Sequence, residues 1–271
     1  MAASESDKFR NGLCKTCSEE LRACLACGKL IEKGRKYLEF DGVGPYCQAC
    51  YKERQACDVC TAPLTNDYWR LSDGRLMCVH CYTTAIYAPG DAASLYEEMK
   101  GVVVKTLGIT LNVPTGLALV DRNQLAAVIH QQQELIRASG NGVVDELDPQ
   151  RTLGVYTRRG MRRGIYIQTG LPRLLFLQVA AHEYAHAWQG ENCPLLRDTL
   201  VHEGFAEWAA YRVLGHYGYK RGQERMLART DIYGRGLKWA LDLESNRGPA
   251  GVMDACRRSM PLVKPGVGGE V

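Results

Sequence analysis

Five Cys-x-x-Cys pairs crowd the first third of this chain: Cys14/Cys17, Cys24/Cys27, Cys47/Cys50, Cys57/Cys60 and Cys78/Cys81. Two such pairs meeting around one tetrahedral ion close a structural zinc site, so this spacing constrains the fold more than any other feature. The first ten residues are polar, mixed in charge, and lack the apolar stretch of a secretory signal. The expectation is a cytoplasmic, reducing setting in which metal, not disulfide, holds the thiols. The natural pairing gives Cys24, Cys27, Cys47 and Cys50 to one zinc, and Cys57, Cys60, Cys78 and Cys81 to a second. The loops inside the two sites have 19 and 17 residues, room for a hairpin each, and Lys36–Phe40 and Tyr68–Leu71 carry strand-like content. Modules this small have too little core to fold without metal.

A shift of 33 residues carries Cys14, Cys17, Cys24 and Cys27 onto Cys47, Cys50, Cys57 and Cys60, with six-residue spacers aligned. Cys14/Cys17 therefore reads as the closing half of a module whose opening half is missing. His80, inside the last pair, reads as a solvated histidine, with substitution for a cysteine ligand as the alternative. The whole chain has a net charge of only +4. With eight bound thiolates and two zinc ions counted, residues 1–90 come to about −3, which repels a phosphate backbone. The expected contact of this half is a protein, not nucleic acid. It resembles the LIM zinc-binding domain, with two departures: Cys47 stands where histidine is usual, and the spacer Tyr51–Ala56 is longer than usual.

Ala88-Pro-Gly-Asp91 marks a break, after which cysteine becomes sparse. Apolar residues at helical spacing predict a helix over 93–107, and Thr115–Val120 reads as a strand. Asp121 can cap a helix running to about Arg137, and Gly140-Asn-Gly142 reads as a turn. Leu153–Tyr156 and Ile165–Gln168 read as a hairpin whose arginine-rich tip, Arg158–Gly164, is expected to be solvated rather than an RNA contact. The apolar run Leu174–Ala181 is far too short to span a bilayer, so no membrane partner is expected.

Pro172 can open a helix that Gly190 can end, and inside it lies His182-Glu-Tyr-Ala-His186. Positions i and i+4 share a helix face, so both imidazoles can reach one zinc, with Glu183 placed to reach a water on it. The preceding strand, 165–168, can offer its edge to an extended peptide. A catalytic zinc needs a third protein ligand. The next predicted helix, Asp198–Leu214, offers Glu203 and, one turn on, Glu207. One ligates and the other accepts a hydrogen bond from a ligand histidine. Glu203 is the favoured ligand. Gly204 in a helix interior points to a close helix approach. Cys193 and Cys256 stand alone, and Cys193 reads as a structural thiol rather than a nucleophile.

The H-E-x-x-H helix followed by His202-Glu-Gly-Phe-Ala-Glu207 resembles the gluzincin metallopeptidases. Glu203 matches their ligand glutamate and Glu207 their supporting acid; His202 stands in place of the usual Asn. More of the chain resembles the plant "DA-one" ubiquitin-activated LIM-domain peptidases, through Val113-Pro114, Leu117–Arg122, Leu171–Leu175 and Ala181–Trp188. In those proteins ubiquitin-interacting helices precede the LIM part. The resemblance implies a zinc endopeptidase acting on protein or peptide substrates, with the LIM-like part aiding folding or protein targeting. It also implies three zinc ions, one catalytic and two structural. A downstream Tyr-Gly in that family points to Tyr233 as an oxyanion donor; His216 is the weaker choice. The expected fold is α+β: a tandem zinc-ribbon module over 1–88, a mainly helical zincin-like domain with a small sheet over 89–260, and a flexible tail over 261–271. The alternative is a non-catalytic zinc-ribbon adaptor carrying a degenerate peptidase fold.

Overall fold

The computed structural model describes residues 9–10, 13–14, 22–32, 35–40, 43–139, 148–149 and 151–258. Cys17, the 140–142 turn and the 261–271 tail lie outside them. The chain divides into two compact units, Met1–Thr84 and Ala85–Val271.

The first unit opens with β1 (Phe9–Arg10) paired to β2 (Leu13–Cys14). One architecture then occurs twice. In the first copy β3 (Arg22–Ala23) and β4 (Leu30–Ile31) flank the Cys24–Cys27 turn. The hairpin of β5 (Tyr37–Phe40) and β6 (Gly44–Cys47) delivers Cys47, and the short helix α1 (Gln48–Glu53) delivers Cys50. In the second copy an Ala56–Pro63 bridge flanks the Cys57–Cys60 turn. Strands β7 (Tyr68–Arg70) and β8 (Leu76–Cys78) deliver Cys78, and α2 (Val79–Thr83) delivers Cys81.

The repeat extends to the backbone. Gly28 N–H donates to Cys24 O at 2.8 Å and Thr61 N–H to Cys57 O at 2.9 Å, again 33 residues apart. Both turns need a left-handed residue after the second cysteine: Gly28 has φ 71° and Thr61 φ 61°. Glycine takes that conformation freely; threonine gives up about 1–2 kcal/mol to hold it. Sulfur spacing explains why the turn is imposed. Cys27 and Cys47 Sγ stand 3.9 Å apart, Cys60 and Cys78 Sγ 3.7 Å. A tetrahedron with Zn–S of about 2.3 Å has edges of about 3.8 Å. Each set of four sulfurs lies within 4.8 Å, and neither includes His80. The two sets fit two structural zinc ions. Among the described residues, the buried apolar side chains around the first set, besides the cysteines, are only Ala26, Ile31, Tyr46 and Ala62, so metal–thiolate bonds must carry much of the stability.

The second unit begins with β9 (Ala85–Ile86) and α3 (Pro89–Leu107). This helix has Pro89 in its first turn and ends on left-handed Gly108, φ 71°. Strand β10 (Gly116–Val120) leads to α4 (Arg122–Ser139). A capping box starts that helix: Gln124 N–H donates to Asp121 Oδ1, and Gln124 Oε1 accepts from Asp121 N–H. The hairpin is β11 (Gly154–Arg159) and β12 (Arg162–Gln168), and β13 (Leu171–Pro172) pairs with β9. The sheet order is β10-β12-β11, with β10 parallel to β12. Strand β12 is therefore central and has no free edge, contrary to the sequence expectation for 165–168; the outer strands are β10 and β11. The hairpin tip is exposed over 158–162, as a solvated tip would be, while its base is anchored. Arg163 makes a bidentate ion pair with Glu191, at 2.6 and 2.9 Å, and Arg158 donates to Gly190 O at 2.8 Å.

Four helices complete the described part of the unit: α5 (Arg173–Asn192), α6 (Thr199–His216), α7 (Lys220–Ala228) and α8 (Ile232–Arg258), the last broken at Gly248 ahead of Pro249. Gly190 does not end α5. A Cβ there would press on the Tyr156 ring at 3.2 Å, so this glycine serves strand packing, not termination. Both α5 and α6 are apolar over most of their circumference, which suits helices enclosed by others. The stack of Trp188 on Phe205, 5.0 Å between centroids, joins them. Asp198 caps α6 by accepting from Leu200 and Val201 N–H.

Gly204 meets α8, not α5. A Cβ on Gly204 would lie 2.5 Å from Gly236 O, and one on Gly236 would lie 2.6 Å from Gly204 Cα. Both obstacles are backbone and cannot swing aside. Gly236→Ala should therefore lower stability by about 1–3 kcal/mol, or more if the helices cannot part. Urea unfolding of the variant beside the parent checks it; an unchanged midpoint would contradict the close contact.

Candidate active site

Helix periodicity sets the site. His182 and His186 lie one turn apart on α5, and α6 brings Glu203 against them. Their Nε2 atoms stand 2.9 Å apart. Glu203 Oε2 is 3.4 Å from His182 Nε2 and 3.7 Å from His186 Nε2. Three donors about 2.0–2.2 Å from a tetrahedral zinc would be separated by about 3.3–3.6 Å. The observed distances bracket that range.

Proton placement sharpens the case. His182 Nδ1 faces Glu207 Oε1 at 3.3 Å. His186 Nδ1 faces Gln189 Oε1 at 2.8 Å. Gln189 is oriented independently, because its Nε2 donates to His202 O at 2.9 Å. Both Nδ1 atoms thus face acceptors and carry the proton, which leaves both Nε2 lone pairs aimed inward. Two lone pairs and a carboxylate oxygen at such separations repel unless a cation lies among them. The donor set therefore fits a divalent metal.

The same field governs ionisation. Burial opposes charge on the His182 ring, yet Glu203 and Glu207 hold its pKa well above the usual histidine range. Burial likewise opposes charge on Glu203, and the imidazoles of His186 and His182 hold its pKa down. Glu203 uses its two oxygens differently: Oε2 faces the histidine pair, while Oε1 lies 3.0 Å from His202 Nδ1. The His202 ring stacks on His186 at 4.3 Å.

Glu183 sits beside the pair, with burial pushing its carboxyl pKa up and the two histidines pulling it back. The backbone of Tyr156 on β11 also lowers it. Gly154 makes room for this approach, since a Cβ there would lie 3.1 Å from Glu183 Cγ and 2.5 Å from Val179 Cγ1. All these groups open onto a cleft of about 430 Å³, walled by β11 through Val155 and Tyr156 and by Tyr233.

No family model and no solved structure matches the chain. Curated plant proteins do. LIM domain-containing protein HDR3 of Oryza sativa subsp. japonica is 27% identical over 179 residues, 57% of this chain and 34% of that protein. Protein DA1-related 2 of Arabidopsis thaliana is 24% identical over 252 residues, 69% of this chain and 47% of that protein. The chain is similar, at low identity, to the DA1-like LIM-domain proteins. Protein DA1-related 6 of Arabidopsis thaliana is 25% identical over 200 residues, 66% of this chain and 29% of that protein. The chain thus spans less than half the length of each of these relatives.

The remaining sequence candidates divide. Tyr233 lies at the start of α8, its ring centroid 6.2 Å from that of His182, with the Arg229 guanidinium 4.5 Å over its face. His216 ends α6 and does not line the cleft. Sequence reasoning missed Gln189, although its position three residues after His186 on one helix was a usable signal. It also missed Arg229, 3.8 Å from Glu207 Oε1, for which the sequence carries no local sign. No helix among the described residues is long and apolar enough to cross a membrane.

The arrangement separates the two acids. Glu203→Ala should abolish metal binding at this site. Glu207→Gln keeps the shape and should weaken binding by about 10–100-fold. Competition against a chromogenic chelator measures both; a stronger loss in Glu207→Gln than in Glu203→Ala would exchange the two assignments.

Proposed function

We propose that this chain is a zinc-dependent endopeptidase acting on protein or peptide substrates. One observation carries the reading. Two inward Nε2 lone pairs and a buried carboxylate converge at the floor of a cleft, with a second carboxylate, Glu183, beside them. His182, His186 and Glu203 would hold the ion. Bound zinc supplies Lewis acidity and a coordinated water of pKa about 7.

The chain's own residues account for the rest. Glu183 takes a proton from the attacking water and returns it to the leaving amine. Its raised pKa suits a group that must both accept and release a proton. The Tyr233 hydroxyl donates to the developing oxyanion from the cleft wall. An extended substrate adds to the outer edge of β11, the strand that lines the cleft. Glu207 and Gln189 hold the two imidazoles in the tautomer that aims Nε2 inward. The two four-cysteine modules serve as a rigid protein-contact platform in a cytoplasmic protein.

Glu183→Gln should reduce cleavage of an unfolded protein substrate by at least about 100-fold while the metal content stays unchanged. Undiminished cleavage by the purified variant would remove Glu183 from its role. Absence of cleavage by the parent, with metal bound, would favour the adaptor reading.

A further inference from the structure

Two buried cysteines of the second unit belong to neither four-cysteine set. Cys193 closes the C-terminal end of α5, and Cys256 lies near the end of α8. They are 5% and 0% exposed, and both are free thiols. Their Sγ atoms stand 3.5 Å apart. Cys193 also lines the cleft, with Cys256 behind it as the second thiol. Gln189, whose Oε1 orients His186, places its Nε2 3.4 Å from Cys256 Sγ.

We propose that Cys193 and Cys256 form a dithiol site that hydrogen peroxide oxidises to a disulfide. This inference is independent of the peptidase reading. Closing the sulfurs to a bond of about 2.05 Å requires an approach of about 1.5 Å. The two thiols are also unequal. The contact with Cys256 lowers the Cys193 pKa against the opposing effect of burial, and Arg257 adds to the lowering. The same contact, together with burial, pushes the Cys256 thiol up. Cys193 is therefore the attacking thiolate and Cys256 the resolving thiol.

The chemistry balances. The Cys193 thiolate attacks one peroxide oxygen; the S–O bond forms, the O–O bond breaks, and the departing hydroxide takes a proton to become water. Cys256 then loses its proton and attacks the Cys193 sulfur; the S–S bond forms and the sulfenic oxygen leaves as a second water. Two thiols are oxidised and one peroxide is reduced by two electrons. The bond ties the end of α5, which carries His182 and His186, to α8, which carries Tyr233. It encloses 62 residues, a long loop whose closure restricts the unfolded chain.

The test uses the full, metal-loaded chain treated with stoichiometric hydrogen peroxide, alkylated, and mapped as non-reduced peptides. A Cys193–Cys256 cross-linked peptide is expected, with a rise in thermal midpoint, both reversed by dithiothreitol. In Cys256→Ser, Cys193 should stop at a sulfenic acid that dimedone traps; in Cys193→Ser, Cys256 should remain alkylatable. The proposal is overturned if both thiols stay alkylatable in the treated parent. It is also overturned if Cys193 gives as much dimedone adduct in the parent as in Cys256→Ser. The parent's peptide map decides alone if either variant fails to fold.

Discussion

Mutual repulsion at the α5–α6 contact is the constraint on which the second unit depends. Two imidazole lone pairs and a carboxylate oxygen are held within 3.7 Å of one another. Such a cluster is unfavourable in a folded chain unless a cation offsets it. The surrounding groups sustain the cluster rather than relieve it. Glu207 and Gln189 take the Nδ1 protons, and His202 occupies the spare oxygen of Glu203. Glu203 and Glu207 likewise favour positive charge on His182, holding its pKa well above the usual histidine range against burial.

Holding that cluster requires backbone contacts that leave no slack. Gly204 and Gly236 let α6 and α8 touch main chain to main chain, which fixes the face that α6 turns toward the histidines. Gly154 does the same on the strand side, so that Glu183 lies against β11. The ion pair between Arg163 and Glu191 and the Arg158 bond to Gly190 O anchor the hairpin to the end of α5. The cleft is thus bounded by elements whose spacing is set by missing side chains. In the first unit the corresponding role falls to sulfur: four thiols per site at tetrahedral spacing replace a core that short strands and turns cannot build.

How much of this was legible depended on the range of the interaction. The 33-residue cysteine period lay in the sequence, and the duplicated turn at Gly28 and Thr61 follows it. The shared face of His182 and His186 needed only the helical repeat, and the Asp121 cap needed only local chemistry. Contacts between distant segments were not readable. Gly190 looked like a helix stop because termination is the commoner reason for a glycine there; its actual neighbour, Tyr156, lies 34 residues earlier. Strand 165–168 looked available because its parallel partner, β10, is remote in sequence. Of the hairpin arginines, Arg158, Arg159 and Arg162 are exposed as expected, but the burial of the Arg163 side chain was not readable because its partner, Glu191, comes 28 residues later. Cys193 and Cys256 looked solitary for the same reason.

The most direct test of the account is zinc per chain in the purified protein, measured beside His186→Ala. Two four-cysteine sites and one His-His-Glu site predict about three ions in the parent and about two in the variant. About two ions in both, unchanged after added zinc, would contradict a metal at the α5–α6 contact and with it the central claim.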